Sequence, residues 1–190
     1  RREYDLDIIS TYPGVVYRVF LSNGQMKEID NPAFLPDPTQ IERIEEPMIR
    51  AFVICPNENI GDVLQLVMDK RGAVQKTESM DTRRVMLTCR MPLNEILVDF
   101  HDRLKSISRG YASMDYELDN YETSDLVKMD ILLLGDVIDA FSTIVHRSKA
   151  TARGRQLCQA LCEVVPRHQF AIPVQAAIGK NIIARETVKA

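Results

Sequence analysis

Cysteine and histidine are the residue types in this chain best suited to hold a metal ion. Cys158 and Cys162 are one helical turn apart and could supply two of the four ligands of a zinc ion, with His168 nearby. No fourth ligand is evident, and the two thiols stand beside Leu157 and Leu161. Packing as small hydrophobic side chains is the favoured interpretation. We therefore predict four free thiols and no metal site.

Nucleotide and acid–base chemistry are equally poorly supported by the sequence. Only Gly179 precedes a lysine, Asn181 stands where a P-loop has Ser or Thr, and the first glycine of that motif is missing. His101 lies between Asp99 and Asp102, but these two acids are i, i+3 neighbours on the polar side of a predicted helix. We expect this chain to hold no catalytic residue and no cofactor.

The remaining chemical signal is positive charge near the C-terminal end. The whole chain has a net charge of −3, yet residues 140–190 contain eight basic residues and only two acidic ones. Such asymmetry indicates a polyanion partner, although a solvated basic surface without a partner is the open alternative. Gly154, between Arg153 and Arg155, is expected to let a phosphate backbone approach closely. The candidate contacts are Arg147, Lys149, Arg153, Arg155, Arg167, Lys180 and Arg185, with Lys105 and Arg109 as further candidates.

Composition describes an ordinary globular chain. Its 190 residues are 45% hydrophobic and 27% charged, which excludes disordered and collagen-like classes. No apolar run approaches the roughly 20 residues of a membrane span, and no signal peptide is recognisable. Scattered cysteines are typical of reduced cytosolic proteins. Because position 1 is not Met, we expect a piece of a longer protein.

The elements that must position these residues fall into three sections. Residues 15–21 and 25–30 form a predicted hairpin around Asn23-Gly24, followed by a proline-rich linker over residues 31–38. The middle section shows the order β-α-β-β-α-β, typical of ferredoxin-like domains. Its predicted strands are 48–55, 73–79, 84–91 and 111–121. The first predicted helix ends at Gly72, in a left-handed conformation, and its inward residues are Ile60, Val63, Leu64, Val67 and Met68. The second predicted helix runs unbroken from Leu93 to before Gly110.

In the last section, period-2 alternation and turn residues predict another hairpin, a helix and two final strands. The hairpin joins residues 127–133 and 137–146 around Gly135-Asp136, and Pro166 closes the helix over 149–165. The final strands cover 170–178 and 182–188.

Specific motifs add a family resemblance. Residues 46–125 resemble the last domain of elongation factor G through Glu46-Pro47, Ile60-Gly61-Asp62-Val63, Lys70-Arg71-Gly72 and the run SISRGYAS at 106–113. The flanks resemble LepA, the elongation factor 4 family of ribosome-bound translational GTPases. Its marks here are Leu35-Pro36-Asp37-Pro38, Ser124-Asp125-Leu126-Val127-Lys128, His146-Arg147, Arg153-Gly154-Arg155, Gln175-Ala176-Ala177-Ile178-Gly179 and residues 182–189.

The resemblance implies an α+β architecture in three parts. Residues 1–45 would be the rear of a third domain, itself part of a ferredoxin-like domain, with the proline-rich linker. Residues 46–125 would be the ferredoxin-like βαββαβ domain of elongation factor G type, and residues 126–190 a truncated LepA-specific α+β domain. The GTPase domain, with its GTP and magnesium, would lie outside this chain.

The implied function is contact with the ribosome, both its RNA and its proteins, and with tRNA on the A-site side. The parent would remodel tRNA position and hydrolyse GTP, whereas this fragment would not be an enzyme and would take no small-molecule substrate. The implied location is cytoplasmic, with weak peripheral association of the parent with the inner face of the cell membrane. The alternative is an autonomous ferredoxin-like module that binds a small molecule or serves regulation.

Overall fold

A computed structural model describes residues 15–97, 99–167 and 170–190. The described chain divides into two compact units. The central unit comprises residues 15–17 and 45–123, and the C-terminal unit comprises residues 18–44 and 124–190. The three-part division drawn from the sequence stays a prediction, and part of its first section, residues 1–14, lies outside the described residues.

Eleven strands and four α-helices make up the described chain. The strands are β1 (Tyr17–Leu21), β2 (Met26–Ile29), β3 (Ile41–Pro56), β4 (Ala73–Ser79), β5 (Arg84–Pro92), β6 (Ser113–Ser124), β7 (Leu126–Leu133), β8 (Asp136–Val137), β9 (Thr143–His146), β10 (Ile172–Ile178) and β11 (Asn181–Val188). The helices are α1 (Ile60–Asp69), α2 (Leu93–Ile96), α3 (Phe100–Ile107) and α4 (Ala150–Val164). Short 3-10 turns at Pro32–Phe34 and Pro38–Gln40 lie within the proline-rich segment.

The central unit has the predicted ferredoxin-like order. Its sheet runs β4-β5-β3-β6, with antiparallel pairing of β4 to β5 and β5 to β3. Alternation drives this arrangement, since Val85, Leu87, Cys89 and Met91 on β5 are all buried on one face. The α+β fold class is thereby confirmed.

Both central helices differ in detail from the sequence prediction. In α1 the buried residues are Val63, Leu66 and Val67, whereas Leu64 and Met68 are 36% and 67% exposed, so the inward stripe is rotated from the predicted one. The second helix is not continuous. It breaks between α2 and α3, where Asp99 adopts a left-handed conformation with φ 50° and bonds the nearly buried Lys70 at 2.7 Å. Aspartate tolerates that conformation better than most residues.

The end of α1 also corrects a prediction. The left-handed residue after the helix is Arg71, with φ 58°, and not Gly72. The Arg71 N–H donates to the Met68 carbonyl and the Gly72 N–H to the Val67 carbonyl, the paired bonds of a Schellman motif. Gly72 is needed for another reason: a Cβ there would lie 2.3 Å from Cγ of Met91.

Strand β6 is longer than predicted, and its apolar row is not a buried one. Tyr116 and Leu118 are 41% and 70% exposed. On the other row, Glu117 and Asp119 form ion pairs with Arg50 of β3. The alternating residues of this strand therefore form one ion-paired row and one exposed apolar row. The alternation of apolar and polar residues in the sequence does not distinguish such an exposed apolar row from a buried one.

The C-terminal unit has a sheet in the order β11-β10-β7-β8, with β9 also paired to β7. Residues 137–146 are not one strand as predicted, because a 3-10 turn at Asp139–Phe141 interrupts them between β8 and β9. The predicted helix and the two final strands are confirmed as α4, β10 and β11. The predicted N-terminal hairpin is likewise confirmed as β1 and β2.

Helix α4 packs on one face of this sheet. Leu157, Cys158 and Leu161 face Met129, Val174 and other buried residues of the strands. This face forms the core of the unit. None of the helices within the described ranges is long and apolar enough to cross a membrane.

Candidate nucleic-acid interface

Three of the predicted contact residues lie at one end of the C-terminal sheet. Leu126 pairs with His146 there, so Arg147 and Lys149, which follow β9 and lead into α4, lie at that end. Lys180 is in the two-residue turn between β10 and β11, where Ile178 pairs with Asn181 at the same end. We call Arg147, Lys149, Arg153 and Lys180 the basic end; Arg153 is one helical turn into α4.

Within the basic end, Lys149 and Arg153 share a side of the helix, since they are four residues apart. Arg153 donates to Gln156 Oε1 at 2.9 Å, and Arg147 pairs with Asp125 at 3.0 Å. The first turn of α4 has no acidic residue. No acidic side chain of that turn therefore offsets the partial positive charge of the helix N-terminus.

The expected role of Gly154 is wrong. This glycine is buried and faces the sheet, where an added Cβ would lie 2.9 Å from Cβ of Ala176 and 3.2 Å from Sδ of Met129. It allows the helix to approach the sheet and offers nothing to a phosphate backbone. Arg153 and Arg155 consequently project about 160° apart around the helix axis, because two residues rotate about 200°.

The other predicted contacts of this unit lie elsewhere. Ala184 and Glu186 are on the helix-facing side of β11, since Ala184 approaches Gly154, so the exposed Arg185 between them is on the opposite face. The exposed Arg167 follows the far end of α4, about 22 Å from its start, given a helix of 15 residues. The seven cations therefore do not form one patch.

The two additional candidates belong to the central unit. Lys105 is partly buried, and its ammonium group donates to the carbonyl of Ala112, which supports the loop before β6. Arg109 is exposed and left-handed, with φ 56°. Lys105 thus has a structural partner, while Arg109 is open to solvent.

A cleft of about 530 Å³ adjoins the basic end within the C-terminal unit. Its lining joins residues that are far apart in sequence: part of the proline-rich segment, the start of β7, Arg147, and Ile178 with Gly179. Sequence reasoning missed this cleft. Asp37 and Asp125 belong to no common sequence motif. They line the same cleft only because the folded chain brings them together.

Three of the four cysteines are buried. All four thiols are free, and no cluster of three or more His, Cys, Asp or Glu side chains suited to a metal occurs among the described residues, which do not include His168. Burial, followed by the nearby Cys162 and Glu186, raises the pKa of Cys158 to about 11. Burial raises the pKa of Cys89 to about 12. These thiols are protonated at neutral pH, as expected of core residues.

Comparison with known proteins adds the family. Residues 43–132 match the model of the elongation factor G C-terminus, and residues 133–190 match that of the GTP-binding protein LepA C-terminus. Elongation factor 4 of Protochlamydia amoebophila is 51% identical over all 190 residues. The chain belongs to the elongation factor 4 (LepA) family.

Other elongation factor 4 proteins show the same extent of similarity. Those of Acetivibrio thermocellus and Sorangium cellulosum are 51% and 53% identical over 189 residues. The chain spans about a third of the length of these curated relatives, 31% and 32% respectively. It corresponds to the C-terminal portion of elongation factor 4 and contains no GTPase domain.

Proposed function

We propose that this chain is the part of an elongation factor 4 protein that contacts RNA on the ribosome, with the basic end of the C-terminal unit as the contact. The observation that carries the proposal is the convergence of Arg147, Lys149, Arg153 and Lys180 on one end of a sheet. Acidic residues dominate the rest of the chain, so this end is where a polyanion gains most.

The partners of this surface are tRNA on the A-site side and ribosomal RNA, and the parent remodels tRNA position and hydrolyses GTP through a domain outside this chain. Support comes from family membership and from the type of side chain. Arginine's planar guanidinium matches phosphate oxygens bidentately, and lysine adds a point charge. The named cations come from the β9–α4 connection, α4 and the β10–β11 turn, which gives the contact a rigid frame.

The test is the salt dependence of tRNA and ribosome binding by the 190-residue chain. If about four phosphates are neutralised, log affinity should fall against log salt with a slope of about −3. Replacing Lys149 and Arg153 together by Ala should flatten the slope by about one to two units, at roughly one per lost contact. The melting temperature of this double variant is measured alongside to establish that it is folded, because Lys149 and Arg153 are half-buried.

A charge-matched control is available in the same unit. The double replacement Arg155→Ala with Arg185→Ala removes the same charge from the other side of α4 and from the far face of the sheet. It should leave the slope nearly unchanged. Equal effects of the two double variants would show a non-specific charge effect, and no effect of Lys149→Ala with Arg153→Ala would reject the basic end as the contact.

A further inference from the structure

The cleft beside the basic end has the walls of a ligand site. Leu35, Pro36, Pro38, Leu126 and Ile178 line it with apolar surface. Its volume of about 530 Å³ is within the roughly 300–1,000 Å³ typical of ligand pockets. Apolar side chains can pack on the faces of a planar ring, as they do around bases taken out of a stack.

Most charges inside the cleft already compensate each other. Arg147 pairs with Asp125 at 3.0 Å, and Lys128 lies 3.6 Å from Asp130. Asp37 is different: in the described part of the chain, its carboxylate has no cationic partner. The cleft therefore presents one uncompensated carboxylate, which is exposed to solvent beside the apolar lining residues.

Two hydrogen bonds from Thr39 hold the Asp37 side chain in place. Its Oδ1 accepts from the backbone N–H and the hydroxyl of Thr39, at 2.9 and 2.8 Å. These hydrogen bonds, the backbone one first, hold the pKa of Asp37 below its usual range. The group is an ionised acceptor at neutral pH, and within the described residues its Oδ2 has no hydrogen-bond donor.

The rim of the cleft has the opposite charge. The exposed Lys180 is next to the lining residue Gly179. A ligand must therefore place a hydrogen-bond donor at the exposed Asp37 carboxylate and negative charge beside Lys180. A basic peptide would satisfy the carboxylate but would be repelled at the rim, whereas a nucleotide satisfies both.

We propose that this cleft binds one unpaired RNA nucleotide, with an amino-bearing base inside and its phosphate on the rim. This inference rests on the proposed RNA contact and deepens it. The amino group of cytosine donates to the Asp37 carboxylate, an established pairing of carboxylate with cytosine N4. Uracil places a carbonyl oxygen at the same position and is repelled by the carboxylate.

The experiment is a titration of the 190-residue chain with CMP and with UMP, followed by backbone amide resonances. CMP should shift the amides of Gly179 and Asp125 saturably, and UMP should bind about tenfold more weakly. Asp37→Asn should reverse this preference, because Asn keeps the acceptor for Thr39 and turns an amide donor towards the base. Asn caps short helices as well as Asp does, so folding is preserved.

The matched control is Asp136→Asn at the opposite end of the sheet, which should leave the preference for CMP intact. Equal binding of CMP and UMP to the unaltered chain, or an unchanged preference in Asp37→Asn, would overturn the inference. The salt slope of tRNA binding is measured separately. A failed CMP titration with an intact slope rejects the cleft alone, and a loss of the slope effect rejects the proposed function itself.

Discussion

Arg71 lies at the centre of a buried ionic network in the central unit. Its two terminal nitrogens donate to both carboxylate oxygens of Glu46, each at 2.9 Å, and its Nε donates to Glu95 at 2.9 Å. Glu46 is only 1% exposed. Burial, and then the charge of Glu46, raise the pKa of the neighbouring Tyr17. One cation thus compensates two buried carboxylates, and the strained left-handed backbone of Arg71 is stabilised by these bonds.

Replacing Arg71 by Met should destabilise the protein strongly. Methionine keeps most of the volume but leaves Glu46 and Glu95 without a cation, and breaking a buried pair in this way costs about 3–5 kcal/mol. Urea unfolding measures the effect as a lower midpoint with an unchanged slope.

The compensating variant separates charge from packing. Arg71→Met combined with Glu46→Gln and Glu95→Gln removes the uncompensated charges and should regain a large part of the lost stability, because neutral amides are less costly to bury than carboxylates. If Arg71→Met alone unfolds at the same urea concentration as the unaltered chain, the network contributes no stability.

At the scale of elements, the contact of α4 with its sheet depends on the absence of a side chain at position 154. Gly154→Ala would gain about 1 kcal/mol of helix propensity. It would also force a methyl group to within 2.9 Å of Cβ of Ala176, on a strand that cannot yield as a flexible side chain does. Overpacking costs about 1–3 kcal/mol. We expect a net loss of stability, measured as a lower melting temperature.

A second substitution on the strand provides the control. Ala176→Gly removes the atom that the new methyl group meets, so the double variant should be more stable than the sum of the two single effects predicts. Additive effects would show that the two positions are not in contact.

The sequence predicted the order of these elements well because apolar period and turn residues are local signals. Alternation in β5 and the stop at Pro166 required no knowledge of the fold. The break at Asp99 could not be predicted in the same way, because its partner Lys70 is 29 residues earlier in the chain. The interruption between β8 and β9 lacks a glycine or proline to indicate it.

The candidate site, too, depends partly on local sequence signals and partly on tertiary packing. The excess of basic residues over 140–190 is visible in the sequence, which is why the candidate contacts were placed in that region. Tertiary packing determines which of these cations lie close together. Arg185 lies on the opposite face of the sheet from α4 because of strand alternation, and Arg167 lies a helix length from Lys149. The role of Gly154 was wrongly predicted because the sequence does not show whether a glycine in a helix is buried or exposed.

At the scale of the whole chain, the absence of a phosphate-binding loop from its 190 residues has a direct consequence. Backbone amides of a glycine-rich loop and its lysine are what hold nucleotide phosphates tightly in such GTPases. We therefore expect no saturable heat on titration with micromolar GTP and magnesium, and no GTP hydrolysis.

A full-length elongation factor 4 measured under the same conditions is the positive control for this titration. Micromolar GTP affinity in the 190-residue chain would contradict the prediction and would require a phosphate site of another kind. Weak, millimolar binding of a mononucleotide at the cleft would not contradict this prediction, because that binding depends on the base and not on a triphosphate.

The turn after α1 has a consequence for proteolysis. Lys70 and Arg71 form a dibasic pair, and trypsin-like proteases cut after either residue type. In the folded chain Lys70 is 7% exposed, and backbone bonds fix the turn on both sides of Arg71. A protease needs an extended, accessible segment of several residues, so this pair becomes a substrate only when the central unit opens. Accumulation of the fragment cut at this pair therefore follows the open fraction of the central unit when reclosing is faster than cleavage, and the opening rate when cleavage is faster.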